Sequence, residues 1–220
     1  WQFHPAMRAL LRRDEVLRYA SVDENGFTLP GVTFLDPQTG TSWEGGLEWF
    51  DTCFDGRAML FDLELDDEIL YDPSALGPGV EWGMFGANVN LDSSRRRGAL
   101  LEWHWQALER LGLGGSYTWT DAEITAGNFD GREVPYVAEH VGALNATWDF
   151  GAGFSAFAEY TYNGSRYALG DDANAYERVD SEGVVNMALR WAAGHWNATL
   201  RANNLNDEKY DSLTSILYGE

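Results

Sequence analysis

The strongest constraint on this chain lies in 184–210, VVNMALRWAAGHWNATLRANNLNDEKY. Two runs there alternate with a period of two. Val185, Met187, Leu189 and Trp191 interleave with Asn186, Ala188 and Arg190; Trp196, Ala198, Leu200 and Ala202 interleave with Asn197, Thr199, Arg201 and Asn203. Successive side chains of a strand point to opposite faces, so each run has one apolar and one polar face. The turn between them reads as Ala193-Gly194, which pairs Ala192 with His195 and Trp191 with Trp196. Both apolar rows then share one side of a hairpin.

A soluble sheet can use this pattern to cover a core. Two features favour a membrane barrel: the polar face carries Arg190 and Arg201, and tryptophan borders the apolar stripe. Composition agrees. Aromatics make up 14% of the 220 residues, with ten Trp and ten Tyr, which suits a barrel with two aromatic girdles. No run of about 18 apolar residues exists, so helical membrane spans are excluded while strands are not. The single Cys53 rules out an internal disulfide and a CxxC metal or redox site. A net charge of −20 argues against nucleic acid as a partner.

Along the chain the alternation predicts eight strands in hairpin pairs: 42–50 with 57–68, 99–106 with 112–121, 141–149 with 153–163, and 184–192 with 195–204. In the second of these, Met59, Phe61, Leu63 and Leu65 form the apolar row, opposed by Leu60, Asp62, Glu64 and Asp66. Pairing Trp49 with Met59 then sets Glu44 against Glu64 on the polar face. Links after the odd strands are short, and loops after the even ones are long (69–87, 121–137, 164–179). Trp49, Trp105, Trp148, Trp191 and Trp196 sit beside short turns; Tyr117, Trp119, Tyr160 and Tyr162 lie towards the long loops. Short turns at one end, long loops at the other and two aromatic bands are the pattern of an outer-membrane barrel. Residues 1–41 read less clearly: 5–18 fits a helix begun by Pro5 or a strand, and 23–40 a loop.

NNLNDEKY (203–210) resembles the N-L-F-D-x-x-Y signature near the C-terminus of TonB-dependent outer-membrane receptors. Asn204, Leu205, Asp207 and Tyr210 match, and Asn206 replaces the usual Phe. GTSWEGGLEW, NVNLDSSRRRGALLEWHW, SYTWTDAEIT and EYTYNGSRY resemble further strands of that family, in its order. LRYASVDENG is similar to the arginine-bearing strand and loop upstream of them. The resemblance covers roughly 40–218. It implies an all-β, antiparallel up-and-down transmembrane β-barrel portion, with 42–220 an open-edged segment of a barrel of about 22 strands. The opening WQFHPAMRALLRR lacks an apolar signal region and the closing SILYGE lacks a terminal aromatic strand, so a piece of a longer protein is expected, without plug and final strand.

For function the family implies energised uptake of a scarce ligand, foremost a ferric siderophore, across the outer membrane of a Gram-negative bacterium. Its partners would be outer-membrane lipid and, through the plug, the TonB energising complex. A passive porin and a soluble β-rich binding module are the alternatives. No catalytic fingerprint is present, and His4, His104, His140 and His195 share no ligand spacing, so no enzyme or zinc site is expected. Arginines and aromatics gather towards the long loops. Arg96, Arg132, Tyr136, Arg166, Tyr167, Tyr176 and Arg178 are the candidate contacts for an anionic chelate. No resident cofactor is expected beyond the ferric chelate as cargo, although Asp66-Asp67-Glu68, Asp171-Asp172 and Asp207-Glu208 suit a structural calcium or solvated surface.

Overall fold

A computed structural model describes residues 2–75, 77, 86–211 and 213–216. They form one antiparallel sheet of ten strands in strict sequence order. The strands are β1 (Gln2–His4), β2 (Met7–Arg18), β3 (Gln38–Phe50), β4 (Phe54–Asp72), β5 (Ala87–Leu108), β6 (Leu111–Ile124), β7 (His140–Gly151), β8 (Phe154–Asn163), β9 (Glu182–Ala193) and β10 (Trp196–Ala202). All eight expected strands are present, and β1 and β2 precede them. Of the two readings of 5–18, the strand is the one adopted. Pro5 stands just before β2, which lies against the whole length of β3 from Met7↔Trp49 to Arg18↔Gln38. Tertiary pairing overrides a helical propensity that only tertiary contacts could have stabilised. The 23–40 region holds one helical turn, α1 (Val22–Asn25), closed by a capping box between Ser21 and Glu24. β1 and β10 do not pair with each other, so the sheet is open.

Residues directly opposite across a ladder share a face, so the pairings carry facing from strand to strand. The outer row runs Met7, Ala9 and Leu11; Trp49 and Leu47; Phe54, Ala58 and Leu60; Trp105, Trp103, Leu101 and Ala99; Leu113, Tyr117 and Trp119. It continues through Trp148, Ala146 and Leu144; Phe154, Ala156, Ala158 and Tyr160; Trp191, Leu189 and Met187; Ala198 and Leu200. These apolar side chains are left in the open: Leu60 is 67% exposed, Leu144 55% and Leu200 71%. The inner row holds Arg8, Glu48, Arg57, Glu102, Ser116, Asn145, Glu159, Asn186, Arg190 and Arg201. A groove of about 500 Å³ lies on it between β8 and β10.

Two registers differ from the sequence expectation. The β9–β10 turn is Gly194-His195, with Ala193 opposite Trp196 and Leu189 opposite Leu200. Gly194 has φ 58, and glycine at the first central position suits a type II′ turn whose twist matches the strands. This slip preserves facing. The β3–β4 difference does not. Trp49 faces Gly56 rather than Met59, an odd slip that inverts every side chain of β4. Met59, Phe61, Leu63 and Leu65 therefore point inward, while Leu60, Asp62 and Glu64 point outward. Glu44 faces Phe61 and Arg12, and Glu64 faces Thr41 and Arg95, so the two carboxylates never meet.

The inversion is stabilised by close approach. A Cβ on Gly46 would lie 2.5 Å from the Met59 sulfur, and one on Gly98 would lie 2.6 Å from the Phe61 ring. Both side chains of β4 lie flat over glycines of the neighbouring strands. Met59 and Phe61 are thereby half-buried on the inner face without a second layer. Charges on that face compensate across strands: Arg8 Nε donates to Glu48 at 2.6 Å, and Arg57 Nε to Glu102 at 2.5 Å.

β4 and β5 run 19 and 22 residues, about twice the roughly 9–11 that a membrane-crossing strand needs. Beyond Trp43 and Trp119 the outer row becomes charged: Asp62, Glu64, Arg95, Arg97 and Asp121. Arg97 donates twice to Asp121, at 2.9 and 2.7 Å. Asp67 takes a left-handed conformation (φ 54), and past it the alternation of β4 switches. Glu68 reaches the inner residues Ser94 (2.6 Å) and Arg96 (2.7 Å). The buried cluster Leu91, Ala122, Ile124 and Val134 forms here, where the strand extensions meet the 125–139 loop.

The facing gives a direct test in the full-length protein. An arginine on the lipid face near mid-membrane costs about 2–4 kcal/mol, and an inward one far less. Leu60→Arg and Leu200→Arg should each impair assembly, whereas Arg201→Leu should assemble normally. Heat-modifiable gel mobility in outer-membrane fractions measures this; normal assembly of Leu60→Arg would overturn the β4 inversion.

Candidate functional site

Four of the seven candidate residues come together where the 125–139 and 164–181 loops meet. The Tyr136 N–H donates to the Tyr167 carbonyl at 2.9 Å, with Tyr136 in the left-handed region (φ 65). The Arg166 guanidinium lies 5.4 Å from the centre of the Tyr136 ring, and that of Arg178 lies 4.8 Å from the Tyr167 ring. These are cation–π distances. Arg178 also pairs with Glu133 on the opposite loop. Asn174 completes the seam: its side-chain oxygen accepts from the Glu133 N–H at 2.7 Å, and its amide donates to the Glu133 carbonyl at 3.0 Å.

Arg166 is buried, at 5% exposure, and its backbone exchanges two hydrogen bonds with Val179. Its side chain lines a cleft of about 450 Å³ together with Thr120, Tyr136, Asn163, Glu182 and Tyr210. The nearest carboxylate, Glu182, stands 3.8 Å away, too far for a direct hydrogen bond. Glu182 was not among the sequence candidates. Its inward row in β9 was legible from the alternation, but its partner across 16 residues was not.

The other three candidates lie apart. Arg96 is held by Glu68 and Ser94, and so braces the β4–β5 extension. Arg132 is exposed on the 125–139 loop, and its side chain makes no hydrogen bond or ion pair among the described residues. Tyr176 is 43% exposed, tied in place by its backbone. His140 is engaged by the Tyr117 hydroxyl at 2.8 Å.

The carboxylate pairs have structural occupations. Asp66 accepts from Ser93, and Asp171 accepts from the Ala175 and Tyr176 N–H groups at 2.8 and 3.1 Å. Among the described residues no group of three or more His, Cys, Asp or Glu side chains could hold a metal ion. In the signature segment Asn204 (φ 53) grips Glu208 in both directions, at 2.9 and 2.8 Å. Asn206 accepts from the Val185 N–H at 3.0 Å and donates to the Gly183 carbonyl at 2.6 Å. It thereby satisfies the edge of β9 beyond the end of β10, which a Phe could not do.

Asp172 is the titrating group of this layer. Burial, and then the neighbouring Asp72 and Asp171 charges, push its carboxyl up to about 6 from an ordinary 3.8. The folded loop therefore favours the protonated form. The resulting stability is complete below about 3.8 and is lost as pH rises through about 6. Asp172→Asn should protect the 171–176 amides from hydrogen exchange at pH 7.5 and flatten their dependence between pH 4 and 6. Greater protection at pH 7.5 than at pH 5 in the unmutated protein would contradict this.

The family model "TonB dependent receptor-like, beta-barrel" matches residues 11–205. The metal-pseudopaline receptor CntO of Pseudomonas aeruginosa is 28% identical over 202 residues, covering 86% of this chain and 27% of the relative. The ferrichrome outer membrane transporter/phage receptor of Escherichia coli is 28% identical over 196 residues, covering 83% and 24%. Among solved structures, the copper transporter OprC superposes with a TM-score of 0.75 at 16% identity, covering 94% of this chain and 32% of that one. The ferric preacinetobactin receptor BauA of Acinetobacter baumannii does so with a TM-score of 0.71 at 18% identity, covering 97% and 32%. The chain thus spans about a quarter of the length of the curated relatives it matches. An apolar outer row, a charged inner row and an open ten-stranded sheet agree with that match: the chain belongs to the TonB-dependent receptor β-barrel family.

Proposed function

We propose that this segment is part of the barrel wall and mouth of an outer-membrane receptor that takes up a metal chelate, foremost a ferric siderophore, in a Gram-negative bacterium. Transport would be energised by the TonB complex acting on a plug domain. The observation that carries this reading is the loop layer built on β4–β6 and β9. Two stacked arginine–tyrosine pairs, Arg166/Tyr136 and Arg178/Tyr167, are held by inter-loop hydrogen bonds above a polar inner wall. Guanidinium and tyrosine faces suit an anionic, partly aromatic cargo. The matched relatives are named as receptors or transporters of metal-pseudopaline and ferrichrome, which supports the same cargo class.

Deleting the full-length gene should abolish TonB-dependent accumulation of at least one radiolabelled ferric chelate by iron-starved cells. Arg178→Ala should lower that uptake several-fold with the protein still assembled. Accumulation that persists without TonB would favour a passive pore.

A further inference from the structure

Three hollows on the inner face run into one another. The loop cleft of about 450 Å³ shares Asn163, Glu182 and Tyr210 with a second hollow of about 450 Å³ on its short-turn side. That one shares Asn186 and Asn203 with the groove of about 500 Å³ between β8 and β10. Together they make a trough down the wall from the mouth to Ser155, Arg190 and Asn197 near the short turns. Its side chains are mostly amides and hydroxyls, with Thr161, Asn186, Thr199 and Asn203 among them, and Phe157 and Val184 as apolar members. Arg190 is exposed at its lower end. Both neighbours of β9 are present there, and they set Ser155 and Thr199 opposite Arg190, so neither ladder gives it a carboxylate.

The inner face of β3–β5 differs. A hollow of about 520 Å³ lies at its short-turn end against Glu48, Arg57 and Glu102. Those charges are already engaged, Glu48 by Arg8 and Glu102 by Arg57. Towards the mouth the next inward pairs are Met59–Leu100 and Phe61–Gly98, which are apolar. A solute crosses a pore along groups that hold it weakly at many points, whereas an apolar stretch sheds water and closes the way. Neutral amides and hydroxyls meet the first condition, and the Met59–Phe61 wall meets the second.

We propose that cargo descends along the trough: the inner face of β8–β10 is the hydrated side of the lumen, and the inner face of β3–β5 stays dry and occluded during transport. This rests on the receptor reading above and adds to it the side of the barrel that carries the route. The test uses the full-length receptor in iron-starved cells, in a background without native thiols, Cys53→Ser included. Single cysteines are placed in the trough (Ala188→Cys, Thr199→Cys) and on the dry side (Leu100→Cys), and heat-modifiable gel mobility confirms assembly. A water-soluble methanethiosulfonate is the labelling reagent. A ferric trihydroxamate, a ferric tricatecholate and ferric citrate are supplied together as cargo. The readout is the labelling rate in cells with TonB relative to cells without it.

The trough thiols should be labelled several-fold faster when TonB is present, and Leu100→Cys should not respond. Either trough variant that assembles suffices. An equal or greater rise at Leu100→Cys would overturn the proposal, as would trough thiols that TonB leaves unchanged while the same cells accumulate one of the three chelates; both results leave the receptor reading intact. Cells that show no TonB-dependent accumulation of any of the three would overturn both.

Discussion

In a hydrocarbon layer a strand has no water to satisfy its N–H and C=O groups, so each must bond to a neighbouring strand. The rest of this structure depends on that ladder. Strands β2 to β10 are joined without a skipped neighbour, and the ladder fixes which side chains share a face. A single odd slip at one turn moves a whole strand's side chains through the sheet. β4 shows the consequence. Its register places Leu60 outward and Met59 and Phe61 inward, where Gly46 and Gly98 leave room for them to lie flat.

Charge follows from the same ladder. On the inner face the cations and carboxylates of β2–β5 alternate from strand to strand, giving Arg8–Glu48 and Arg57–Glu102. Such exposed pairs contribute little stability each, commonly about 0–1 kcal/mol, but they leave no like charges opposed. On β9 and β10 the inner arginines Arg190 and Arg201 have no carboxylate partner among the described residues. The two ends of the sheet thus present different inner surfaces to whatever the lumen holds.

Above the apolar band the sheet continues as a scaffold for loops, and the buried residues of the molecule concentrate there. Ile124 and Ser94 are almost wholly shielded, while the membrane-height residues are not. This is the physical basis for a mouth that holds its shape. A core of Leu91, Ala122, Ile124 and Val134, together with the Glu133–Asn174 seam, fixes two loops against each other. Arg166 and Arg178 gain their orientation from that fixing.

The sequence by itself determined eight of the ten strands, the antiparallel order, the apolar and polar faces of β9 and β10, the aromatic bands and the family. Period-two alternation and turn residues are local, and they survive without knowledge of partners. Three things required the tertiary structure. The facing of β4 depended on a slip at the DTCFDG turn, because its inward apolar row is covered by glycines on other strands. The strand at 7–18 depended on β3, since its local sequence suits a helix equally well. The site depended on contacts across 16 to 45 residues, Arg166 with Glu182 and Arg178 with Glu133 among them. Residue type marked the arginines as candidates. Only the packing of the loops decided that Arg96 would brace the sheet, that Arg132 would remain exposed, and that Arg166 would be buried with one donor unfilled.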